Sequence, residues 1–214
     1  MSIGDDPLQR FARHPPQDRR TDVRNLRLLA LDLETTGLDP ATDQVLAVGF
    51  VPVDGPAIRL AGARRFWVRP DGPVGSSATV HGLTDDRLRD AQRLDDVLPE
   101  VLEALHGRVL LAHHAPIEVD FLTVACRRRY GATPSFTVVD TLRLQRRVLG
   151  NRWQPPEPDE LRLDASRRHV GLPRYQAHDA LTDALGCAEL YLAQVAHLGG
   201  DGKLRLGRIR SGGR

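Results

Sequence analysis

The segment that most constrains the fold is Leu26 to Leu33, a nearly unbroken run of aliphatic residues. An apolar run of this length is typical of a strand buried inside a sheet. Two more strand-like segments follow, Val45 to Val53 and Ile58 to Val68, and Asp54-Gly55 fits a turn between them. The sequence therefore predicts three successive strands, of which the first is central.

Helical and strand patterns alternate along the rest of the chain. Helices are predicted where apolar residues recur three and four positions apart, and short apolar runs between them are predicted as strands. Strands followed by this alternation indicate the α/β class, a mixed sheet covered by helices. The predicted helices are Asp85 to Asp90, Leu94 to Leu105, Pro116 to Tyr130, Thr141 to Leu149, Leu161 to Val170 and His178 to Ala196, and the predicted strands are Val109 to Ala112 and Val138 to Val139.

Length and composition fit one soluble domain. The chain has 214 residues, of which 41% are hydrophobic, enough to bury a sizeable core. We expect a flexible segment over residues 1–24, a folded domain over 25–198 and a flexible basic tail over 199–214. No run approaches the roughly 20 apolar residues of a membrane span, and the two cysteines have no metal or disulfide spacing. These features predict a cytoplasmic protein that does not contact a membrane.

Two acidic residues end the first predicted strand. Asp32 and Glu34 are two positions apart, so their side chains point to the same face of the strand. Two carboxylates held together near a core are costly unless a cation neutralises them or their pKa values shift. A divalent metal ion would remove this repulsion. The alternative is a strand end at which both acids simply reach solvent.

A third acid lies on a helix face that is otherwise apolar. Glu118 shares a helical stripe with Phe121, Leu122 and Ala125, at spacings of three, four and seven residues. Asp120 lies about 200° around the helix from Glu118, so it should face solvent. The buried stripe therefore predicts that Glu118, and not Asp120, belongs to a shared acidic site.

A fourth acid and a histidine open the last predicted helix. Asp183 falls on the stripe of Ala180, Cys187 and Tyr191, so its carboxylate should face inward. His178 precedes it by five residues, about 140° around a helix. We therefore expect His178 to approach a shared site from the start of the helix.

These segments resemble the three motifs of the DEDD exonuclease superfamily, in the histidine-containing branch typified by the proofreading (epsilon) subunit of bacterial DNA polymerase III. All three occur in the family's order, and the similarity covers roughly Leu26 to Ala196. The matching residues are Asp32-Leu33-Glu34-Thr35-Thr36-Gly37 in the first motif, His114 to Phe121 in the second, and His178 with Asp183, in an H-x4-D spacing, in the third. His81-Gly82-Leu83-Thr84 and Asp140-Thr141-Leu142 are further similarities to the family.

The resemblance implies a ribonuclease H-like fold, a mixed five-stranded sheet with helices on both faces. It also implies a metal-dependent 3′–5′ exonuclease that hydrolyses phosphodiester bonds at a nucleic-acid 3′ end and releases nucleoside 5′-monophosphates. His178 would be the general base, since histidine accepts protons near neutrality. The ligands of two Mg²⁺ or Mn²⁺ ions would be Asp32, Glu34, Glu118 and Asp183, with Asp32 between the ions.

The resemblance further implies how the substrate is held. The residues that would contact the 3′ nucleotide are Thr35, Thr36, Gly37 and Leu38, with His81 and Ile117 lining the same pocket. We expect single-stranded DNA as the substrate, in proofreading or repair, and a polymerase or repair protein as a partner. An RNA-trimming exoribonuclease is the alternative, because no residue in the sequence is identified as a reader of the 2′-hydroxyl group.

The second motif departs from the family pattern. The family usually has aspartate where this chain has Glu118, asparagine at His114 and often phenylalanine at Ile117. Glutamate offers Mg²⁺ the same carboxylate on a longer side chain. The departure leaves open a second alternative, a nucleic-acid-binding or polymerase-associated module that has lost catalysis.

Overall fold

The computed structural model describes residues 6–150, 155–176, 178–199 and 203–211. Its six strands are β1 (Arg27–Thr35), β2 (Val45–Asp54), β3 (Ala57–Ile58), β4 (Arg64–Trp67), β5 (Val109–Ala112) and β6 (Val138–Asp140). They form one mixed sheet in the order β3-β2-β1-β5-β6, and β4 pairs with β2 beside β3. Because β3 and β4 pair with different parts of the same strand, the six strands occupy five positions. The predicted five-stranded mixed sheet is confirmed, with one additional short strand.

β1 is the central strand, as its apolar sequence predicts. It pairs antiparallel with β2 along its whole length and parallel with β5, and β6 continues the parallel part of the sheet. Leu29 and Leu31 are buried on one face, whereas Leu28 and Ala30 are buried on the other. Since β1, β5 and β6 run in the same direction, their carboxyl ends lie at one edge of the sheet, where ligands bind in open α/β sheets.

The segment Ile58 to Val68 is not one strand, and in this respect the prediction is wrong. A single 3-10 turn, Leu60–Gly62, separates β3 from β4. The chain leaves the sheet opposite Pro52 of β2, which has no N–H group to donate to a partner strand. It returns to pair with residues 47–50 of β2.

Helices cover both faces of the sheet. On one face lie α1 (Pro7–Arg13), α4 (Leu94–Leu105) and α5 (Pro116–Tyr130), and on the other lie α6 (Thr141–Val148), α8 (Ala180–Gly199) and α9 (Leu206–Ile209). The remaining helices are α2 (Ala78–His81), α3 (Asp85–Leu88) and α7 (Leu163–His169). Among the described residues, no helix has both the length and the hydrophobicity needed to cross a membrane.

The described parts of both end segments contact the folded core. Leu8 of α1 is buried in the cluster under α4 and α5, and Leu206 and Ile209 of α9 are buried in the cluster under α8. Residues 1–5, 200–202 and 212–214 lie outside the described residues. These contacts are more extensive than we expected of flexible segments, because the few apolar residues of each end pack against the core. The domain boundaries stay a prediction.

Glycine at position 49 lets α8 lie directly on the sheet. Gly49 of β2 pairs with Asp32 on β1 and with Arg65 on β4. A Cβ atom at this position would lie 2.2 Å from the backbone carbon of Ala180 and from the backbone nitrogen of Leu181. The first turn of α8 therefore fits against β2 only because Gly49 has no side chain. This contact places the start of α8 next to the carboxyl end of β1.

The substitution Gly49→Ala should lower the free energy of unfolding by about 1 to 3 kcal/mol, because the added methyl group pushes α8 away from β2. Chemical denaturation measures this loss. Gly199→Ala is the matched control, since it adds the same methyl group to α8 where the nearest atom, the Cβ of Leu204, is 3.9 Å away. Equal stability of Gly49→Ala and the wild-type protein would contradict the packing of α8 on β2.

Candidate active site

Three carboxylates meet at the carboxyl end of β1. Asp32 and Glu34 lie near the end of that strand, and Asp183 lies in the first turn of α8. One oxygen atom from each of the three carboxylates lies within 4.8 Å of the other two. Glu34 is buried, whereas Asp32 and Asp183 are partly buried. The three acids that the strand and helix periodicities indicate therefore lie together in one cluster.

Glu118 lies beside this cluster in the first turn of α5. Its side chain is buried, with 3% exposure, and its Oε2 atom has no hydrogen-bond partner among the described residues. Glu118 is outside the set of three acids within 4.8 Å, yet its charge acts on Asp32. A buried carboxylate oxygen without a partner is costly unless a proton or a cation satisfies it. Asp120, two residues on, is exposed as predicted.

The acids of the cluster hold protons more tightly than free carboxyl groups do. Burial raises the pKa of Glu34 to about 7, and the charges of Asp183 and Asp179 add to the effect. Burial also raises the pKa of Glu118 and, with the charge of Glu118, raises the pKa of Asp32 well above its usual value. A cluster of carboxyl groups that titrates near neutrality is a common property of functional sites.

His178 lies at the entrance of the cluster, two residues before α8 begins. Its backbone N–H donates a hydrogen bond of 2.8 Å to Oδ2 of Asp183, and its side chain is exposed. Its φ angle is +69°, and His114, with φ of +70°, is the other described non-glycine residue in this left-handed region. Histidine tolerates this conformation better than most residues. Both residues flank the acidic cluster, where sparsely populated backbone conformations often occur.

A buried arginine holds the segment that leads to His178. Arg167 of α7 donates to a carbonyl group of α8 at 2.7 Å and to the carbonyl of Pro173 at 2.9 Å. It also forms an ion pair of 2.8 Å with Glu189, whose second oxygen accepts a hydrogen bond from the hydroxyl group of Tyr175. These bonds fix the chain before His178 against α8. No local sequence pattern indicates them, because the partners come from three separate segments.

Asp179 contributes to the site although sequence reasoning gave it no role there. It accepts two hydrogen bonds of 3.0 Å from Thr182, one from the backbone N–H and one from the hydroxyl group. It also forms an ion pair of 2.7 Å with Arg65 of β4. Although burial opposes the effect, these bonds hold the pKa of Asp179 below its usual value. Asp179 thus stays ionised and attaches the start of α8 to the sheet.

Asp140 ties the second motif to α6. It is buried at the end of β6, and its Oδ1 atom accepts hydrogen bonds from the backbone N–H groups of His114, at 3.1 Å, and Leu142, at 2.9 Å. The bond to Leu142 caps α6, and the bond to His114 fixes the turn that precedes Glu118. An acid between a predicted strand and a predicted helix is a helix-capping signal, which could have selected Asp140 from sequence.

The loop after β1 is held by its own side chains. The hydroxyl group of Thr35 donates to the carbonyl of Gly37 at 2.6 Å, and that of Thr36 donates to Oδ1 of Asp43 at 3.1 Å. A Cβ atom on Gly37 would lie 2.4 Å from Oδ2 of Asp43, so the absence of a side chain at Gly37 leaves room for this carboxylate. Leu38 is 75% exposed. Contact of this loop with a substrate stays a prediction.

A groove of about 1180 Å³ opens beside the acids. His178, Asp183, Leu38 and Ile117 all line it. His81 is half-buried, and burial lowers its pKa, with a further contribution from the charge of nearby His178. The structure thus places Leu38 and Ile117 in one groove with the third motif, and His81 close to its histidine.

The cluster has the chemistry of a site for hard divalent cations. It offers several carboxylate oxygens, one of them the unpartnered Oε2 of Glu118, and such oxygens are the ligands that Mg²⁺ and Mn²⁺ prefer. The nearby His113 uses both ring nitrogens within the protein, for Thr141 and for the carbonyl of Leu161, each at 2.8 Å. The residues present therefore fit a divalent metal ion bound through oxygen.

Comparison with known families decides the assignment. A profile of the family described as Exonuclease (RNase T) matches residues 29–191, most of the chain. The chain belongs to the exonuclease family. The resemblance that the motifs carry is thereby confirmed, and all four acids and His178 lie inside the matched region.

Several relatives show how this exonuclease-family chain compares with larger proteins. It is 28% identical over 193 residues to the PolC-type DNA polymerase III of Thermotoga petrophila, covering 89% of this chain and 13% of that protein. It is 29% identical over 171 residues to the epsilon subunit of DNA polymerase III of Treponema pallidum, covering 78% and 76% respectively. The chain thus spans about an eighth of the length of the PolC-type relatives it matches.

A solved structure supports the ribonuclease H-like fold. E. coli exonuclease I in complex with a dT13 oligonucleotide superposes with a TM-score of 0.67 and 18% sequence identity, covering 80% of this chain and 41% of the other. At this identity the likeness establishes the shared fold. The fold that the motifs imply is therefore confirmed for this member of the exonuclease family.

In the presence of a chelator, the free energy of unfolding should fall as the pH rises from about 6.5 to 8.5. The pKa of Glu34 is about 7 in the folded protein against a usual value of 4.5, and the pKa values of Asp32 and Glu118 are raised as well. The folded chain keeps protons that the unfolded chain has lost, so this stabilisation is lost as pH rises through the folded pKa. Denaturant unfolding at several pH values measures the slope.

Replacing Glu118 by glutamine should flatten this slope and stabilise the chelated protein at the alkaline end of the range, because one buried charge is removed. Asp120→Asn is the matched control, since Asp120 is an exposed acid on the same helix. Its slope should equal that of the wild type. A free energy of unfolding that does not change with pH in the wild-type protein would contradict the raised pKa values.

Proposed function

We propose that this chain is a metal-dependent 3′–5′ exonuclease that acts on a DNA strand and releases nucleoside 5′-monophosphates. The observation that carries the proposal is the convergence of Asp32, Glu34 and Asp183 within 4.8 Å, next to buried Glu118 and an open groove. The names of the relatives, a PolC-type DNA polymerase III and an epsilon subunit of DNA polymerase III, and the DNA bound to E. coli exonuclease I support DNA as the substrate.

The four carboxylates hold two divalent cations, Mg²⁺ or Mn²⁺, in this proposal. Asp32, Glu34 and Asp183 would hold the cations and the attacking water, and Glu118 would hold a cation directly or through its bound water. When bound, the cations lower the pKa of water and stabilise the charge that develops on the phosphate and on the leaving oxygen. The raised pKa values of the cluster fit this role, because protons and cations compete for the same oxygens.

His178 is the general base. Its imidazole is exposed at the groove, while its backbone is fixed by the hydrogen bond to Asp183. It takes a proton from the water whose oxygen attacks the terminal phosphorus. The bond from phosphorus to the 3′ oxygen of the preceding nucleotide then breaks, and that oxygen takes a proton from solvent water to become a 3′-hydroxyl group. The terminal nucleotide departs with its 5′-phosphate.

Apolar side chains position the terminal nucleotide. Leu38 is exposed where it lines the groove, and Ile117 lines the same groove. They pack against the terminal base, while the backbone of Thr35 to Gly37 and the ring of His81 enclose its sugar. Packing of this kind reads shape and apolar surface, so it accepts any of the four bases.

The cellular setting follows from the same proposal. A cytoplasmic location suits Cys126 and Cys187, which are both free thiols and both buried. A DNA polymerase or a repair protein is the proposed partner, by analogy with the polymerase III relatives. The alternatives to this function are RNA trimming and a non-catalytic nucleic-acid-binding role.

The first test is a gel assay of 5′-labelled single-stranded DNA and RNA of matched sequence, with Mg²⁺, Mn²⁺ or chelator. We expect a metal-dependent ladder that shortens from the 3′ end, with DNA cut faster than RNA. Asp32→Asn should abolish the ladder, because it removes the carboxylate at the centre of the cluster. Asp120→Asn, the exposed control, should cut at the wild-type rate.

Three other outcomes would each change the assignment. A ladder of equal intensity with Asp32→Asn would remove the metal site from the mechanism. Metal-dependent cutting of RNA alone would replace DNA by RNA as the substrate. Binding of either strand without any ladder, with both metals, would leave the non-catalytic role.

A further inference from the structure

The groove that contains Asp183 and His178 also carries a group of arginines. Five arginines line it, from α6, from the segment before α7, from α7 itself and from the segment before α8. They are Arg143, Arg146, Arg162, Arg167 and Arg174. None of these residues belongs to a motif that the sequence resemblance identifies.

Two of the five arginines are engaged within the protein. Arg167 is buried and is held by the carbonyl of Pro173 and by Glu189. Arg162 forms an ion pair of 2.9 Å with Asp159. Their guanidinium groups are therefore already paired with acceptors of the chain.

The other three arginines are free. Arg143, Arg146 and Arg174 are exposed, and within the described part of the chain they form no hydrogen bond and no ion pair. Arg143 and Arg146 are three residues apart on α6, so they share a face with Cβ atoms about 5 to 6 Å apart. Arg174 comes from a different element, the segment that leads to His178. Free arginines from two separate elements therefore line one groove.

The acids of the groove do not neutralise these three arginines. Asp140 is buried and accepts hydrogen bonds from backbone N–H groups. Asp164 pairs with Arg168 at 3.5 Å, and Asp183 belongs to the acidic cluster. Away from the cluster, the unpaired charge of the groove is thus positive, which suits an anionic ligand that extends from the acids.

The groove offers little surface for base stacking. Among the described residues that line the groove, Tyr175 is the one aromatic ring other than histidine, and the guanidinium group of Arg167 lies over that ring, 4.3 Å from its centre. Recognition by stacked bases, which is common for single strands, would need exposed aromatic rings. Free guanidinium groups instead favour contacts with phosphates, which are independent of sequence.

We propose that this groove binds the backbone of a single-stranded nucleic acid on the 5′ side of the bond to be cut, with Arg143, Arg146 and Arg174 contacting successive phosphates. The proposal rests on the function proposed above, since that function sets which end of the strand lies at the acids. It predicts binding that is strongly salt-dependent and independent of base sequence.

The test measures binding of a fluorescent oligothymidylate by anisotropy, in chelator and over a range of salt concentrations. Replacing Arg143 and Arg146 by alanine should weaken binding and make the slope of log K against log salt less steep by about 1.4, which is two contacts at about 0.7 each. The double variant with lysine at both positions should recover most of the slope, because lysine keeps the charge.

A matched double variant controls for the change in net charge. Arg20 and Arg127 are exposed arginines outside the groove, and neither side chain has a partner in the described part of the chain. Replacing both by alanine removes the same charge and should leave the slope unchanged. An equal loss of slope in this control, or no loss in the Arg143 and Arg146 alanine variant, would overturn the proposal.

A second measurement separates this proposal from the proposed function. Wild-type protein with Mn²⁺ should cut a long oligothymidylate in preference to the p-nitrophenyl ester of thymidine 5′-monophosphate, which is too short to fill the groove. The Arg143 and Arg146 alanine variant should lose most of this preference, whereas the Arg20 and Arg127 variant should keep it. If the Arg143 and Arg146 alanine variant keeps this preference, the proposal that the groove binds the strand is overturned. If the wild-type protein cuts neither substrate, the proposed exonuclease function is overturned. The anisotropy measurement would still show whether the groove binds the strand.

Discussion

Mutual repulsion among buried carboxyl groups is the constraint on which the rest of this structure depends. One carboxylate oxygen from each of Asp32, Glu34 and Asp183 lies within 4.8 Å of the other two, and Glu118 is buried beside them. Burial and mutual charge raise the pKa values of Asp32 and Glu34, so the fold holds these carboxyl groups together against an electrostatic cost. The proposed binding of divalent cations would offset this cost.

The fold keeps the acids together through contacts that lie outside the motifs. Gly49 lets the first turn of α8 approach β2 closely, and the ion pair between Arg65 and Asp179 attaches the same turn to β4. Asp140 joins the turn before Glu118 to the start of α6. Each contact fixes one of the elements that carry the acids, while the two hydrophobic clusters hold these elements on the sheet. The site is therefore positioned by these contacts between separate segments, together with the two hydrophobic clusters.

Periodicity explains why much of this could be predicted. Asp32 and Glu34 share a strand face, and the buried stripes of α5 and α8 select Glu118 over Asp120 and Asp183 over its neighbours. The order and type of most elements follow from the same patterns. What could not be predicted depends on pairing between distant segments: the ion pair of Asp179 with Arg65, the buried bonds of Arg167, and the break opposite Pro52 that divides one predicted strand into two. The packing of α1 and α9 was missed for the same reason, because short apolar stretches are uninformative until the core that receives them is known.

Calorimetric titration with Mn²⁺ near neutral pH, in buffers that differ in ionisation enthalpy, tests the central claim most directly. The account predicts saturable binding of two ions per chain, with release of protons, because acids with raised pKa values must lose their protons to bind a cation. Asp32→Asn should eliminate this binding, and Asp120→Asn should preserve it. An absence of saturable binding in the wild-type protein, or equal binding by Asp32→Asn, would contradict a metal site built from these carboxylates.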